Sequence, residues 1–279
     1  PSIAVWIRYK VAHKLAFSKL KKILGIENGI FFPVAGAAMS NKQATFFLSI
    51  GIPILYGYGL TETTATVCCY PFDNYTIGSI GTVLPDVQVR IGDDNEIQIK
   101  GKTVTQGYYQ RPQETEEAFV DGWFRTGDMG KLEGETLYMT DRLKDLFKTS
   151  NGKYISPQAI EIALTADPYI EQVAVFGNNR NYVTAIISPS MPLLEKFAKD
   201  NNISYDRIED TFDNPLVQKI FEERIAAMQA DFASFEKVKK FRLIRRSFSI
   251  ESGELTSTLK LKRAVIQQNY AALIEDMYR

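Results

Sequence analysis

Four groups of residues in this sequence combine types and spacings from which chemistry can be built. The first is Tyr56-Gly57-Tyr58-Gly59-Leu60-Thr61-Glu62-Thr63-Thr64. Its glycines let the backbone come close to a bound molecule. Tyr58 offers a ring face to a base, a contact worth roughly 1–3 kcal/mol. Thr61 offers a hydroxyl to a phosphate oxygen, and Glu62 a hard carboxylate oxygen of the kind Mg2+ takes alongside water and substrate phosphate. A plain glycine-rich turn with an exposed acid has the same composition, so both readings stand for this group alone. The second is Thr126-Gly127-Asp128. A carboxylate after a tight turn can accept from both hydroxyls of a ribose, in charge-assisted bonds of about 1.5–3 kcal/mol each, although most Gly-Asp pairs are only turns. The third is Asp141-Arg142-Leu143-Lys144-Asp145 followed by Lys148-Thr149-Ser150-Asn151-Gly152-Lys153. Charge this dense suits a solvated linker, while the glycine-containing loop after Lys148 also suits the wall of a path for a thin substrate. The fourth is Leu255-Thr256-Ser257-Thr258-Leu259-Lys260-Leu261-Lys262-Arg263. It reads either as a basic loop leading into the last helix or as one lysine reaching a developing oxyanion or phosphate charge.

These groups need elements to hold them. Residues 30–35 read as a short apolar strand, followed by the small-residue loop Gly36-Ala37-Ala38. Ser40 caps a helix running to about Ile50, with Gln43 placed for a capping box. Residues 53–56 read as a second buried strand ending in Gly57-Tyr58-Gly59, a flexible turn at a strand's carboxyl edge, where α/β sheets bind ligands. From Ser79 the pattern changes to period-two alternation. Residues 87–91 and 96–99 read as antiparallel strands around a turn at 92–95. A short helix near 113–119 and a strand at 137–140 follow. A second domain begins near Lys144, where Ser156-Pro157 joins a cap to a first-turn proline. In it, 173–176, 183–187 and 241–244 read as strands, and 192–200 and 214–232 as helices. The opening residues 5–24 read as a basic amphipathic helix. Val5, Ala12, Leu15, Phe17 and Leu20 supply its buried side, and Lys10, Lys14, Lys21 and Lys22 its solvated side. An ordinary surface helix is the favoured reading, and peripheral contact with an anionic membrane the alternative.

Composition removes several classes of function. Hydrophobic residues make up 45% and charged residues 24% of 279 residues, a soluble globular profile with material for two domains or one large one. The formal net charge of +0 provides no global field to recruit nucleic acid. No apolar run is long enough to span a bilayer. No secretory leader is visible, and the start at Pro1 points to a missing natural N-terminus. Cys68 and Cys69 are the two cysteines. As sequence neighbours they make no ordinary staple and match no zinc spacing, which suits reduced thiols in a cytoplasmic protein. His13 is the single histidine, which argues against a His-based triad or a His-rich metal centre. Chemistry here falls to carboxylates, hydroxyls, lysines and backbone groups.

By order and spacing the four groups resemble the motifs of the acyl-adenylate-forming (AMP-binding) superfamily, which includes acyl-CoA synthetases, luciferases and peptide-synthetase adenylation domains. The matching segments are Tyr-Gly-x-Gly-Leu-Thr-Glu at 56–62, Gly-Trp-Phe-Arg-Thr-Gly-Asp at 122–128, Asp-Arg-Leu-Lys-Asp at 141–145 and the late lysine at 260, and the resemblance extends over essentially the whole chain. Leu259 stands where most of that superfamily has glycine, and Asp141 precedes Arg142 where Gly-Arg is usual. Both features, and the extended helical segment at about 190–235, are similar to the long-chain fatty-acid–CoA ligase branch.

The resemblance implies an α/β (mixed α+β) fold. Residues 1–143 would form the C-terminal part of a large adenylate-binding domain, and 144–279 a small mobile α+β domain. It implies that Gly36, Ala37 and Ala38 wall the adenine, with Tyr58 stacked on it and Gly59 in the same turn. Thr61 would bind phosphate, Glu62 the Mg2+, and Asp128 and Arg142 the ribose. Lys144 falls at the hinge. Lys260 would serve the attack of a fatty-acid carboxylate on ATP. Ser150, Gly152 and Lys153 would face CoA in the second step, with Lys148 as a further candidate there. The family's Ser/Thr/Gly-rich phosphate loop is not found here, so the chain is expected to be a fragment that does not turn over ATP by itself. A ligase for a medium-chain or aryl acid, and a non-catalytic adenylate-binding module, are the competing expectations.

Overall fold

The computed structural model describes residues 2–143 and 145–279, and its chain contacts divide into two units, Pro1–Leu143 and Lys144–Arg279. The hinge expected at Lys144 lies outside the described residues. The first unit opens with α1 (Ile3–Ala12), a π-helical turn (His13–Phe17) and α2 (Ser18–Ile23). Only the end of this run has the buried side expected of it. Phe17 and Leu20 pack on Ala44, Ile50, Ile52 and Ile54, whereas Val5 and Leu15 are exposed. Leu15 falls on the far side of the helix from Phe17 and Leu20, and Val5 lies about three turns before Phe17, beyond that cluster.

Strand β1 (Phe32–Val34), helix α3 (Asn41–Ser49) and strand β2 (Ile54–Tyr58) form a β-α-β unit. The two strands run parallel, with Phe32 beside Ile54 and Val34 beside Tyr56. The helix starts as its sequence requires. Ser40 Oγ accepts from the Gln43 amide while Gln43 Oε1 accepts from the Ser40 amide, closing a reciprocal capping box. The remaining pairings of this sheet are antiparallel. They join β3 (Cys68–Cys69), β4 (Gly81–Val83), β5 (Val87–Ile91), β6 (Glu96–Gly101), β7 (Phe119–Val120), β8 (Trp123–Glu133) and β9 (Thr136–Arg142). Among the described residues the order is β1-β2-β3-β4-β9-β8-β6-β5, with β7 beside β8. The expected hairpin is present, with Val89 opposite Ile99. The expected helix near 113–119 is α4 (Pro112–Glu117), because Phe119 and Val120 pair with β8 instead.

The second unit contains the hairpin β10 (Phe147–Lys148) and β11 (Tyr154–Ile155), then α5 (Pro157–Leu164), β12 (Ile170–Phe176), β13 (Val183–Pro189), α6 (Met191–Asp200), α7 (Pro215–Met228), β14 (Val238–Leu243), α8 (Arg263–Asn269) and α9 (Ala271–Asp276). Strand β13 lies between antiparallel β12 and parallel β14. Its residues are all buried, because helices cover both faces of the sheet, so Ala185, Ile186 and Ile187 run on without alternation, and the hydroxyls of Thr184 and Ser188 are paired with Tyr278 and Ser247. Val173, Val175, Ala185 and Ile187 pack with Leu164, Leu194 and Phe221. Ala174, Phe176 and Ile186 face Phe248, Ile266 and Met277. Helix α7 ends at Met228, short of the expected Phe232.

Among the described residues no helix is long and apolar enough to cross a membrane. Phe221 is fully buried in the second unit, so Phe221→Ala is expected to lower stability by about 3–5 kcal/mol. Lys219→Ala, on the solvent side of α7, is expected to change it by less than about 0.5 kcal/mol. Urea unfolding followed by circular dichroism distinguishes the two, and equal effects would show that α7 does not carry the core as described.

Candidate functional site

The parallel pair β1 and β2 sends two loops off the same sheet edge. Tyr56, the inward residue at the middle of β2, holds the first. Its hydroxyl accepts from the Met39 amide at 3.2 Å and donates to the Ala37 carbonyl at 3.3 Å. Gly36 and Ala37 are exposed and Ala38 is half-buried. The second loop starts later than the sequence suggested, because Gly57 and Tyr58 remain in the strand and pair with β3. The turn begins at Gly59, where a Cβ would lie 1.3 Å from the Ala65 carbonyl oxygen, so only glycine fits. Thr61–Thr63 is a 3-10 turn, closed by the Leu60 amide donating to Thr63 Oγ1 at 2.9 Å. Thr64 (φ 51°) and Ala65 (φ 74°) follow in the left-handed region, a strain of about 1–3 kcal/mol each. Thr61 is exposed and Glu62 half-buried.

Asp128 sits within the long strand β8, not after a free-standing turn. The ladder between β6 and β8 is irregular here, and Gly127 takes φ 71°. Glu96, only 3% exposed, shapes the irregularity by accepting from the Gly127 amide at 3.0 Å and from Arg125 Nε at 2.9 Å. Thr126 Oγ1 donates to the Ile97 carbonyl at 2.7 Å and accepts from the Asp128 amide at 3.0 Å. The result is a carboxylate 2% exposed with both oxygens engaged. Tyr58 donates its hydroxyl to Oδ2 at 2.7 Å, and Arg142 Nε reaches Oδ1 at 2.9 Å from the facing position of β9.

This corrects the expectation of a free ring face at Tyr58. Residues 54, 56 and 58 alternate inward along β2, so the ring is 9% exposed and packs with Val67, Cys68 and Ile97. Burial, then the Asp128 charge, push its phenol far up from the ordinary value, so it remains a proton donor. A ribose reaching Asp128 has to take over one of these two bonds. Glu96 was not singled out by sequence reasoning, and Thr126 was read only as part of the Thr126-Gly127-Asp128 turn. An acid opening an otherwise inward-reading strand was the signal available for Glu96.

In the second unit the stretch after Lys148 is a tight hairpin rather than an open loop. The Thr149 amide donates to the Lys153 carbonyl and the Gly152 amide to the Thr149 carbonyl, each at 2.9 Å, with Gly152 at φ 78°. Ser150 Oγ donates to Asn181 Oδ1 at 2.6 Å. Lys148 and Lys153 are exposed and lie over Tyr154 and Phe235 at 5.4 and 5.6 Å.

Lys260 belongs to a different turn. The Leu259 amide donates to the Thr256 carbonyl at 2.9 Å and the Thr256 amide to the Lys260 carbonyl at 2.8 Å. Leu259, 68% exposed, takes φ 60°, a conformation that costs an L-residue roughly 1–2 kcal/mol and that glycine adopts freely. Lys260 is exposed and makes no ion pair among the described residues. Glu254 fixes the base of the turn. Its carbonyl accepts from the Lys262 amide at 2.7 Å. Its fully buried carboxylate accepts from Arg246 at 2.7 and 2.8 Å, Ser252 at 2.6 Å and Asn269 at 2.9 Å. The first unit therefore brings Tyr58, Asp128 and Arg142 into contact at the edge that also carries Gly36, Ala37, Ala38, Gly59, Thr61 and Glu62. The second carries Ser150, Gly152, Lys153 and Lys148 on one turn and Lys260 on another.

The model of the AMP-binding enzyme family matches residues 3–109, and that of the AMP-binding enzyme C-terminal domain matches residues 144–279. The chain belongs to this AMP-binding enzyme family. It is 33% identical over 282 residues to the long-chain-fatty-acid–CoA ligase FadD15 of Mycobacterium bovis, covering 100% of this chain and 46% of that protein. It is 31% identical over 283 residues to long chain acyl-CoA synthetase 4 of Arabidopsis thaliana, covering 95% of this chain and 42% of the relative. The chain thus spans about half the length of these relatives. Among solved structures, the adenylation domain of a carboxylate reductase from Mycobacterium chelonae superimposes with a TM-score of 0.75 at 24% identity, over 96% of this chain and 41% of that one. The o-succinylbenzoate CoA synthetase of Bacillus subtilis, in complex with its acyl-adenylate intermediate, gives 0.63 at 22% identity, over 84% and 45%.

Burial opposes ionisation of Glu254, but the bonds from Arg246, Ser252 and Asn269 outweigh it and hold the carboxyl at about 2, below the ordinary 4.5. A depressed folded-state value contributes stability that is complete above about pH 4.5 and is lost as pH falls through about 2. Thermal unfolding between pH 5 and 2 is expected to show this slope in the wild type and a flatter one in Glu254→Gln. Identical slopes would remove Glu254 as the anchor of the Lys260 turn.

Proposed function

We propose that this chain carries nucleotide- and CoA-handling residues of an enzyme that activates a long-chain fatty acid with ATP and transfers it to CoA. The observation that carries the reading is the buried Asp128 carboxylate, offered by Tyr58 and Arg142 at the carboxyl edge of a parallel strand pair. The identity to ligases named for long-chain fatty acids supports the substrate class.

In the first step a carboxylate oxygen bonds to the α-phosphorus of ATP and the bond to the β-phosphate oxygen breaks, giving acyl-AMP and pyrophosphate. Asp128 accepts from the ribose hydroxyls, with Arg142 and the buried Tyr58 orienting it, while Gly36, Ala37, Ala38 and Gly59 flank the adenine. Thr61 donates to a phosphate oxygen. Lys260, an exposed ammonium, meets the charge that develops during transfer. Among the described residues no group of three or more His, Cys, Asp or Glu side chains assembles. Glu62 fits a cation that takes one carboxylate plus phosphate and water, which is the habit of Mg2+. Bound there, Mg2+ would neutralise polyphosphate charge.

In the second step the CoA thiolate bonds to the acyl carbon and the carbon–oxygen bond to AMP breaks. Ser150, Gly152 and Lys153 line the CoA arm, with Lys148 beside them. The chain around Lys144 acts as the pivot that lets the second unit serve one step with Lys260 and the other with the 148–153 hairpin.

The test is AMP release by the full-length protein with CoA and a panel of acids from acetate to palmitate, beside Lys260→Ala. Long-chain acids are expected to drive release, and the variant to lose adenylation by on the order of 10²–10³-fold. Turnover with short or aromatic acids alone overturns the fatty-acid assignment and keeps the adenylating one. No turnover with any acid turns the reading to an adenylate-binding module.

A further inference from the structure

We infer that Tyr108 is a positioning residue for the Glu62 carboxylate, holding it in one rotamer with one oxygen left for a cation. The inference rests on the proposed role of Glu62. Tyr108 lies 46 residues away in sequence, and its hydroxyl donates to Glu62 Oε1 at 2.9 Å. Two more bonds tie the same segments together. The Thr105 amide donates to the Glu62 carbonyl at 2.7 Å, and Thr64 Oγ1 donates to the Thr103 carbonyl at 2.7 Å. The turn that bears Glu62 is thus strapped to residues 103–108 at its backbone and at its carboxylate.

The strap is itself rigid. Thr105 Oγ1 donates to the Gly107 carbonyl at 3.0 Å and accepts from the Gly107 amide at 3.3 Å. The Tyr108 amide donates to Thr115 Oγ1 at 2.9 Å. Gly107 takes φ 147°, and a Cβ there would lie 2.5 Å from Thr115 Cγ2, so the backbone just before Tyr108 is pressed against α4. The Tyr108 side chain is 39% exposed, so its ring adds little to the core, and its hydroxyl has Glu62 as its partner. A neutral donor suits a cation site, because it fixes the carboxylate without competing charge. A lysine or arginine in its place would repel the metal ion.

The experiment uses the full-length protein and a non-hydrolysable ATP analogue, with affinity measured by titration calorimetry in zero and saturating MgCl2. The ratio of the two constants is the gain due to the metal. Glu62→Gln should remove most of that gain. Tyr108→Phe keeps the ring and is expected to reduce it about tenfold, the weight of one hydrogen bond to a charged group. Its AMP affinity without metal and its melting temperature should match the wild type. The double variant should be no worse than Glu62→Gln alone. If Glu62→Gln removes the gain and Tyr108→Phe does not, the positioning role is overturned and the Glu62 assignment stands. If Glu62→Gln leaves the gain intact, the Glu62 assignment itself falls and takes this inference with it. If Tyr108→Phe lowers AMP affinity and melting temperature along with the gain, the tyrosine is structural and the inference is wrong.

Discussion

A carboxylate removed from water organises the first unit. Asp128 is almost completely buried, and an ionised acid in that position is costly unless it is paired and hydrogen-bonded. Tyr58 and Arg142 meet that requirement from two other strands, so β2, β8 and β9 are fixed relative to one another by the group that the proposed chemistry needs. A second buried acid, Glu96, shapes the irregular ladder that aims Asp128. The site is therefore part of the sheet's own bonding, and damage to one is damage to the other.

The second unit repeats the device. Glu161 is held by Arg263 and accepts from the Val175 amide at 2.8 Å, joining α5, β12 and the start of α8. Burial pushes its carboxyl up, against the pull of Arg263. Glu254 is held still more fully, by Arg246, Ser252 and Asn269, and secures the turn of Lys260. In both units a buried acid organises backbone that the helices and strands leave irregular.

Much of this was legible in the sequence. Period-two alternation gave the β5–β6 hairpin, Ser40 with Gln43 gave the start of α3, and the spacing of four motifs gave the family. The residue types of the edge that carries Gly36, Tyr58 and Glu62 were legible as well. Their commitments were not. Strand pairing with β3 carries β2 through Gly57 and Tyr58, and no local preference announces a partner that far along the chain. The inward turn of Tyr58 follows from that pairing, and with it the loss of a free ring face. Val5 and Leu15 show the opposite limit, because apolar spacing marks a side of a helix without saying whether anything is packed there. Leu259 broke the family's pattern in the sequence, and the structure gives the break a physical meaning, a left-handed residue with a branched side chain.

The parallel pairing of β13 with β14 also governs the order of assembly. Strand β12 meets β13 through a connection of a few residues, a ring that closes cheaply. Strand β14 reaches β13 only after α6, α7 and the segments around them have been threaded between, so its contact must overcome a much longer loop. Loop closure therefore favours the two-stranded ladder forming ahead of the β14 contact, and without β14 one edge of a strand buried on both faces stands unpaired and open to association with other chains.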